Sequence, residues 1–304
     1  MRVVILGTGA LGCVFAARLA PCAEVAMLGA WAEGIAAVRR DGVCLHERDG
    51  MRRCVPVQAT TDPAEVSPAD VALLLVKSYQ TDRAAAWAAQ LLTPDGLAIT
   101  LQNGLDNGPK LIAAVGRSRS AVGVTYNGAI LLGPGNARHT VRLPTHIGAT
   151  PETAERVATM AALFTDCGLE THVAGEIEPL LWAKALANVA INPLTALWRI
   201  SNGGPLETPE RRALLVALVE EAAAVARARG MALPCADPVA YVEGVCRATA
   251  ANRSSMLQDV ERGRPTEIDS LNGVIVTEGK RLGVPTPVNE VVWRLVRGVA
   301  DGSG

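Results

Sequence analysis

The sequence predicts an α/β chain: a doubly wound, mostly parallel sheet followed by an all-helical C-terminal domain. Three observations predict it. Short β-branched runs alternate with alanine-rich stretches through the first half, which is the pattern of βαβ units. From about residue 179 the strand-like runs stop and apolar positions recur with a period near 3.6. The 304 residues are also about twice a usual single domain, so two cores are expected.

Taken in order, residues 3–6 read as a buried strand, followed by a turn and a helix over about 9–19. Residues 24–28 are the next strand and 31–40 the next helix. Residues 71–76 form a strongly apolar strand, with helical sequence over 81–92. Residues 97–101 and 121–125 supply further strands, and 136–147 reads as antiparallel strands closing this domain. Beyond it, 180–197, 209–229, 238–248, 268–282 and 289–299 all read as amphipathic or buried helices. The boundary falls near 172–178, which divides the chain into 1–174 and 175–304.

Composition narrows the function. Twenty-nine basic and 30 acidic side chains give a formal net charge of −1, so there is no basic field for nucleic acid and no polybasic membrane patch. Aromatic residues are 3% of the chain, too few for a base-stacking platform. The seven cysteines, at 13, 22, 44, 54, 167, 235 and 246, form no C-x-x-C pair and read as small buried thiols in a reducing compartment. His46, His139, His146 and His172 lack metal-ligand spacing, so no metal is expected. No uninterrupted apolar run reaches the ~20 residues of a membrane span, and a cytoplasmic location is expected.

Gly7-Thr8-Gly9-Ala10-Leu11-Gly12 places G-x-G-x-x-G directly after a strand and into a helix. The first glycine permits the tight turn, and the second lets the backbone approach a pyrophosphate. The third lets the helix pack close to the strand, with its N-terminus facing the phosphate charge. The pattern alone is weak, since a glycine turn also serves purely structural ends. The strand before and helix after make it a Rossmann-type dinucleotide site. The second strand ends Met27-Leu28-Gly29-Ala30-Trp31, with neither the acid of an NAD site nor an arginine.

Two other strand ends carry polar residues. Lys77 closes an apolar strand, and Gln102-Asn103-Gly104 follows another; ligands of open sheets bind beyond such ends. Lys77 is equally an ordinary surface lysine, and Asn103 an ordinary turn residue. More informative is the helix bearing Lys184, Asn188 and Asn192, spaced four apart on one face amid apolar neighbours. Such polar groups require polar partners, and a bound oxo acid would supply them. An ammonium there would stabilise and protonate the alkoxide formed when a ketone is reduced. Asn202 follows in a loop. Ser254-Ser255-Met256-Leu257-Gln258-Asp259 and Thr266-Glu267-Ile268-Asp269 flank a polar turn, and a capping arrangement of Thr266 with Asp269 accounts for the second segment.

Together these segments resemble the ketopantoate reductase (2-dehydropantoate 2-reductase) family, in order and over essentially the whole chain. The resemblance implies a Rossmann-type domain and a helical domain with the active site in a cleft between them. It also implies NADPH-dependent reduction of 2-dehydropantoate to (R)-pantoate, on the route to pantothenate and coenzyme A. Carried across residue by residue, Lys184 matches the general acid and Glu267 the active-site glutamate. Asn103, Asn188, Asn192, Asn202 and Ser255 match positions that hold substrate or cofactor, and Lys77 a cofactor-side lysine. The turn residues Gly7, Thr8, Gly9, Ala10, Leu11 and Gly12 complete the cofactor set. Ala30 departs from members that carry an arginine for the 2′-phosphate, so NADH is not excluded. The expected partner is a small 2-oxo acid, a homodimer is compatible with this reading, and neither nucleic acid nor membrane is expected. Two alternatives stand beside this reading: a paralogue reducing another 2-oxo acid, and a dinucleotide-binding protein without turnover.

Overall fold

The computed structural model describes residues 1–47 and 50–301, and among these the chain divides into two compact units. The first comprises Met1–Gln102 and Asn107–Ile177. Its elements are β1 (Arg2–Leu6), α1 (Ala10–Leu19), β2 (Glu24–Leu28), α2 (Ala32–Asp41), β3 (Val43–His46), β4 (Arg52–Val55) and β5 (Gln58–Thr60). They continue with β6 (Ala69–Leu74), α3 (Thr81–Leu91), β7 (Leu92–Thr100), α4 (Asn107–Val115), β8 (Ser120–Thr125) and β9 (Gly128–Gly133). β10 (Asn136–Val141), β11 (Thr145–Gly148), α5 (Ala154–Asp166) and β12 (Thr171–Ala174) complete it.

The main sheet runs β12-β11-β8-β7-β6-β1-β2-β5, parallel throughout except where β11 lies antiparallel to β8. Its central strands are apolar at consecutive positions because both faces are covered. Along β1, Val3 and Ile5 join one core cluster with Val14, Phe15 and Phe164, while Val4 and Leu6 join another with Ala84, Ala88 and Leu111. The chain builds outward from β1 to β2 and β5 on one side, then to β6, β7 and β8 on the other. β1 is therefore the switch point of this Rossmann-type sheet, where ligands of such sheets bind.

Three expectations need correction. Residues 136–147 do not form one closing hairpin: β10 pairs antiparallel with β9 and parallel with β3 in a separate sheet, β4-β3-β10-β9, while β11 joins the main sheet. The cysteines are not all thiols. The antiparallel register of β3 and β4 sets Cys44 opposite Cys54 with Cα atoms 4.0 Å apart, and the two form a disulfide. The helix expected over 268–282 begins only at Asn272, after a 3₁₀ turn at Ile268–Ser270.

The second unit contains Asn103–Asp106 and the chain from Glu178 onward. It is built from α6 (Glu178–Trp198), α7 (Pro209–Ala228), α8 (Pro238–Ala248), α9 (Ser255–Glu261), α10 (Asn272–Leu282) and α11 (Pro287–Asp301). α6 is the central helix and packs against α7, α8, α9 and α11 around Leu186, Val189, Leu218, Val242, Met256 and Val292. Helix starts are well marked. Thr208 and Asp237 accept backbone N–H bonds at α7 and α8, each with proline at the first turn, and Ser254 caps α9. The Glu221 carboxylate accepts from the Val288 and Asn289 N–H groups at the start of α11, both at 2.9 Å. By length and composition α6 would span a membrane, but 72% of its apolar window is buried inside the protein.

Candidate active site

In the first unit the glycine turn has the geometry that each glycine predicts. Gly7 has φ +125°, and a Cβ there would lie 2.9 Å from the Leu75 carbonyl. A Cβ on Gly12 would run into the Gly7 carbonyl oxygen, so glycine is what lets α1 rest on the strand end. At Gly9, the N-cap of α1, a Cβ would meet nothing within 4 Å. The backbone there is open at the positive end of a ten-residue helix, which fits a pyrophosphate. Gly12→Ala is expected to weaken dinucleotide binding by at least about tenfold and to lower the melting temperature. Gly9→Ala is expected to weaken binding with the melting temperature unchanged. Titration calorimetry with thermal unfolding checks the pair, and equal melting losses would contradict the assignment.

The other strand ends of this unit carry Lys77 and Gln102. Lys77 is partly exposed at the N-cap of a 3₁₀ turn, Ser78–Gln80. Gln102 is buried; its Nε2 donates to the Val76 carbonyl at 2.9 Å and to Thr81 Oγ1 at 2.8 Å, while its Oε1 accepts from Thr100 Oγ1 at 2.9 Å. Gln102 thus ties the ends of β6 and β7 together, a role sequence reading did not assign; a buried amide at an apolar strand end was its signal. Asn103 is partly exposed and belongs to the second unit, in a segment where the Leu105 N–H donates to the Ser270 carbonyl at 3.3 Å.

The second unit holds the remaining expected residues. Between Trp182 and Ala196 every residue of α6 is buried except Lys184 and Asn188. They lie four apart, so one narrow face of an otherwise enclosed helix opens, and it bears an ammonium and a carboxamide. Asn192, a further turn along, is buried on the same face. Burial pushes the Lys184 ammonium down to about 8, and the Glu267 carboxylate opposes that shift by favouring the charged form. The arrangement thus holds a lysine able to give up a proton near neutral pH.

Glu267 is only 7% exposed. It stands at the N-cap of the Ile268–Ser270 turn without making a side-chain capping bond. The capping arrangement expected of Thr266 and Asp269 is not formed; Asp269 instead accepts from Trp293 Nε1 at 2.6 Å. The Glu267 carboxylate acts on Lys184 through its charge, favouring the ammonium form.

Ser255 is the first residue of α9 and is partly exposed, directly after the buried cap Ser254. Thr195 Oγ1 donates to Ser254 Oγ at 2.7 Å, and Ser254 Oγ accepts from the Leu257 N–H at 3.0 Å. α6 therefore fixes the start of α9, and with it Ser255. Thr195 went unassigned in sequence because its partner lies 59 residues away. Asn202 sits in a loop held by Asn202 N–H to the Asn252 carbonyl at 2.9 Å, and its Nδ2 donates to Thr249 Oγ1 at 3.1 Å. Lys184 and Glu267 are brought into interaction, and Asn188, Asn192 and Ser255 are fixed on the same helical framework.

Comparison with known proteins agrees over the whole chain. Residues 3–152 match the family model described as ketopantoate reductase PanE/ApbA, and residues 176–300 match its C-terminal counterpart. The chain is 36% identical over 299 residues to the 2-dehydropantoate 2-reductase of Halobacterium salinarum, covering 98% of each protein. It is similar to the solved PanE/ApbA family ketopantoate reductase of Ralstonia eutropha JMP134, with TM-score 0.91 and 33% identity over 100% of this chain and 99% of that one. A D-mandelate dehydrogenase solved with NADH and anilino(oxo)acetate shares the fold, with TM-score 0.93 at 24% identity over 100% of this chain and 99% of that one.

Proposed function

The chain belongs to the ketopantoate reductase family, and from that premise we propose that it reduces 2-dehydropantoate to (R)-pantoate with NADPH, as a step toward pantothenate and coenzyme A. The dinucleotide contacts are Gly7, Thr8, Gly9, Ala10, Leu11, Gly12 and Lys77 of the first unit, with Asn103 as a further contact. The second unit binds the oxo acid. The observation that carries the reading is the narrow open face of α6, where Lys184 stands beside Asn188 and under the influence of Glu267.

When bound, the nicotinamide supplies the hydride for C2 of the substrate. Lys184 then donates its ammonium proton to the oxygen that was the ketone, so the charge developing there is stabilised and neutralised by one group. Glu267 keeps enough of the lysine protonated for this to happen at neutral pH. Asn188, Asn192 and Asn202 orient the substrate oxygens, and Ser255 holds its carboxylate.

Cofactor choice rests on family membership. Ala30 brings no cation to the end of β2, and Arg39 on α2 donates to the Ala59 carbonyl at 2.6 Å and to Glu65 at 2.7 Å. Loss of nicotinamide absorbance, measured with ketopantoate and a panel of 2-oxo acids using NADPH and NADH in parallel, tests both parts. Ketopantoate is expected to lead the panel in kcat/KM, with NADPH ahead of NADH. Ketopantoate near the bottom would reject the substrate, and a strong NADH preference would reject the cofactor.

A further inference from the structure

We infer that Asn272 is a positioning residue for this reaction: its side-chain amide replaces the backbone donor that Pro193 removes from α6, and so fixes the stretch carrying Asn188 and Asn192. The inference rests on the reading of that face as the substrate site. Pro193 lies inside α6. In an unbroken helix the N–H at 193 would donate to the Val189 carbonyl four residues back, but proline has no N–H and its ring crowds that carbonyl. Val189 is fully buried in the helical core, where an unpaired carbonyl is costly.

Asn272 supplies the missing donor. Its Nδ2 lies 2.9 Å from the Val189 carbonyl oxygen and 3.0 Å from Asn289 Oδ1, and the residue is 0% exposed. Surrounding bonds dictate the amide's orientation. Asn289 uses its own Nδ2 on the Leu218 carbonyl at 3.2 Å and on Glu221 at 2.8 Å, so its Oδ1 is the end that accepts. A reversed Asn272 amide would set its oxygen against two other oxygens. Both N–H groups of Asn272 are thus committed, one of them to the carbonyl that Pro193 orphans.

The placement gives this bond its consequence. Val189 directly follows Asn188, and Pro193 directly follows Asn192, so the bond braces the turn of α6 between the two asparagines. Asn272 opens α10 shortly after Glu267, with only the Ile268–Ser270 turn and Leu271 between. One hydrogen bond therefore ties the segment carrying Glu267 to the helix carrying Lys184, and their mutual placement depends on it.

A double-mutant cycle tests this. Asn272→Ala is expected to lower kcat/KM at least about tenfold, mostly through kcat, with the dinucleotide Kd unchanged. Pro193→Ala restores a backbone N–H for Val189. In that background the loss of the Asn272 side chain is expected to cost no more than about twofold, and a smaller part of the melting temperature of the ligand-free protein. Asn289→Ala disturbs the same buried network but keeps the bond to Val189, so the melting temperature falls while kcat/KM changes by about twofold or less. Equal losses from Asn272→Ala in both backgrounds, or a comparable loss of kcat in Asn289→Ala, would overturn the inference. Should Asn272→Ala fail to fold alone, a folded, active double variant supports it, and an unfolded double variant overturns it. All ratios use the 2-oxo acid that the parent protein reduces best. Absence of ketopantoate turnover thus rejects the proposed substrate without touching the cycle.

Discussion

Replacing Lys184 with alanine is expected to lower kcat/KM for the 2-oxo acid about 10³-fold while leaving dinucleotide affinity unchanged. The reason lies in where α6 leaves the lysine. Its neighbours Trp182, Ala183, Ala185 and Leu186 are all apolar, so no second cation on that stretch replaces it. Burial disfavours the charged amine and pushes it down to about 8, while the buried Glu267 carboxylate favours it, so alanine removes one costly charge and leaves the other without this partner. The melting temperature should therefore change far less than turnover, which collapses. Lys184→Arg is the sharper companion: it keeps the positive charge but holds its proton too tightly to be a useful acid. If charge alone mattered, arginine would restore much of the rate; recovery to within about tenfold of the parent would remove proton donation from the lysine's role.

The parts of this molecule legible in sequence are those whose physics is local. β1 and the glycine turn announce themselves because Gly7, Gly9 and Gly12 each answer a demand made within a few residues. The α6 face is legible because Lys184, Asn188 and Asn192 break an apolar run at helical spacing. What escaped depends on distant partners. β3 and β4 are short and carry Arg52 and Arg53, and the sheet they enter is completed by β10, some ninety residues on. Only the cross-strand register pairs Cys44 with Cys54, so cysteine spacing alone pointed to free thiols.

The Thr266 segment departs from its local sequence pattern for the same reason. A Thr and an Asp three apart fit a helix start, but the backbone at Leu271, with φ −110° and ψ −96°, breaks the turn from α10, and Trp293 takes Asp269. Asn272 was not singled out either, because its partners come from α6 and α11. Pro193 was the available signal. A proline within an apolar helix raises the question of what pairs with the carbonyl four residues earlier, and the answer lies 83 residues from Val189.

Glu267→Gln is expected to move the basic limb of the kcat/KM profile to lower pH and to reduce kcat/KM about 10²-fold at pH 8. Ketone reduction requires Lys184 in its ammonium form, so the rate falls as pH rises through the lysine's pKa, about 8. The Glu267 carboxylate raises that pKa against the larger lowering effect of burial. Glutamine keeps the size and one accepting oxygen but removes the charge, so the lysine loses its proton at a lower pH. Oxidation of the alcohol requires the neutral amine, and its rate should rise with pH earlier in the variant than in the parent. A residue that merely supports the fold would depress both directions at every pH without shifting either limb. A limb at the parent's pH, or above it, would therefore reject the electrostatic role, whereas opposite consequences for reduction and oxidation would follow only if Glu267 acts through the Lys184 proton.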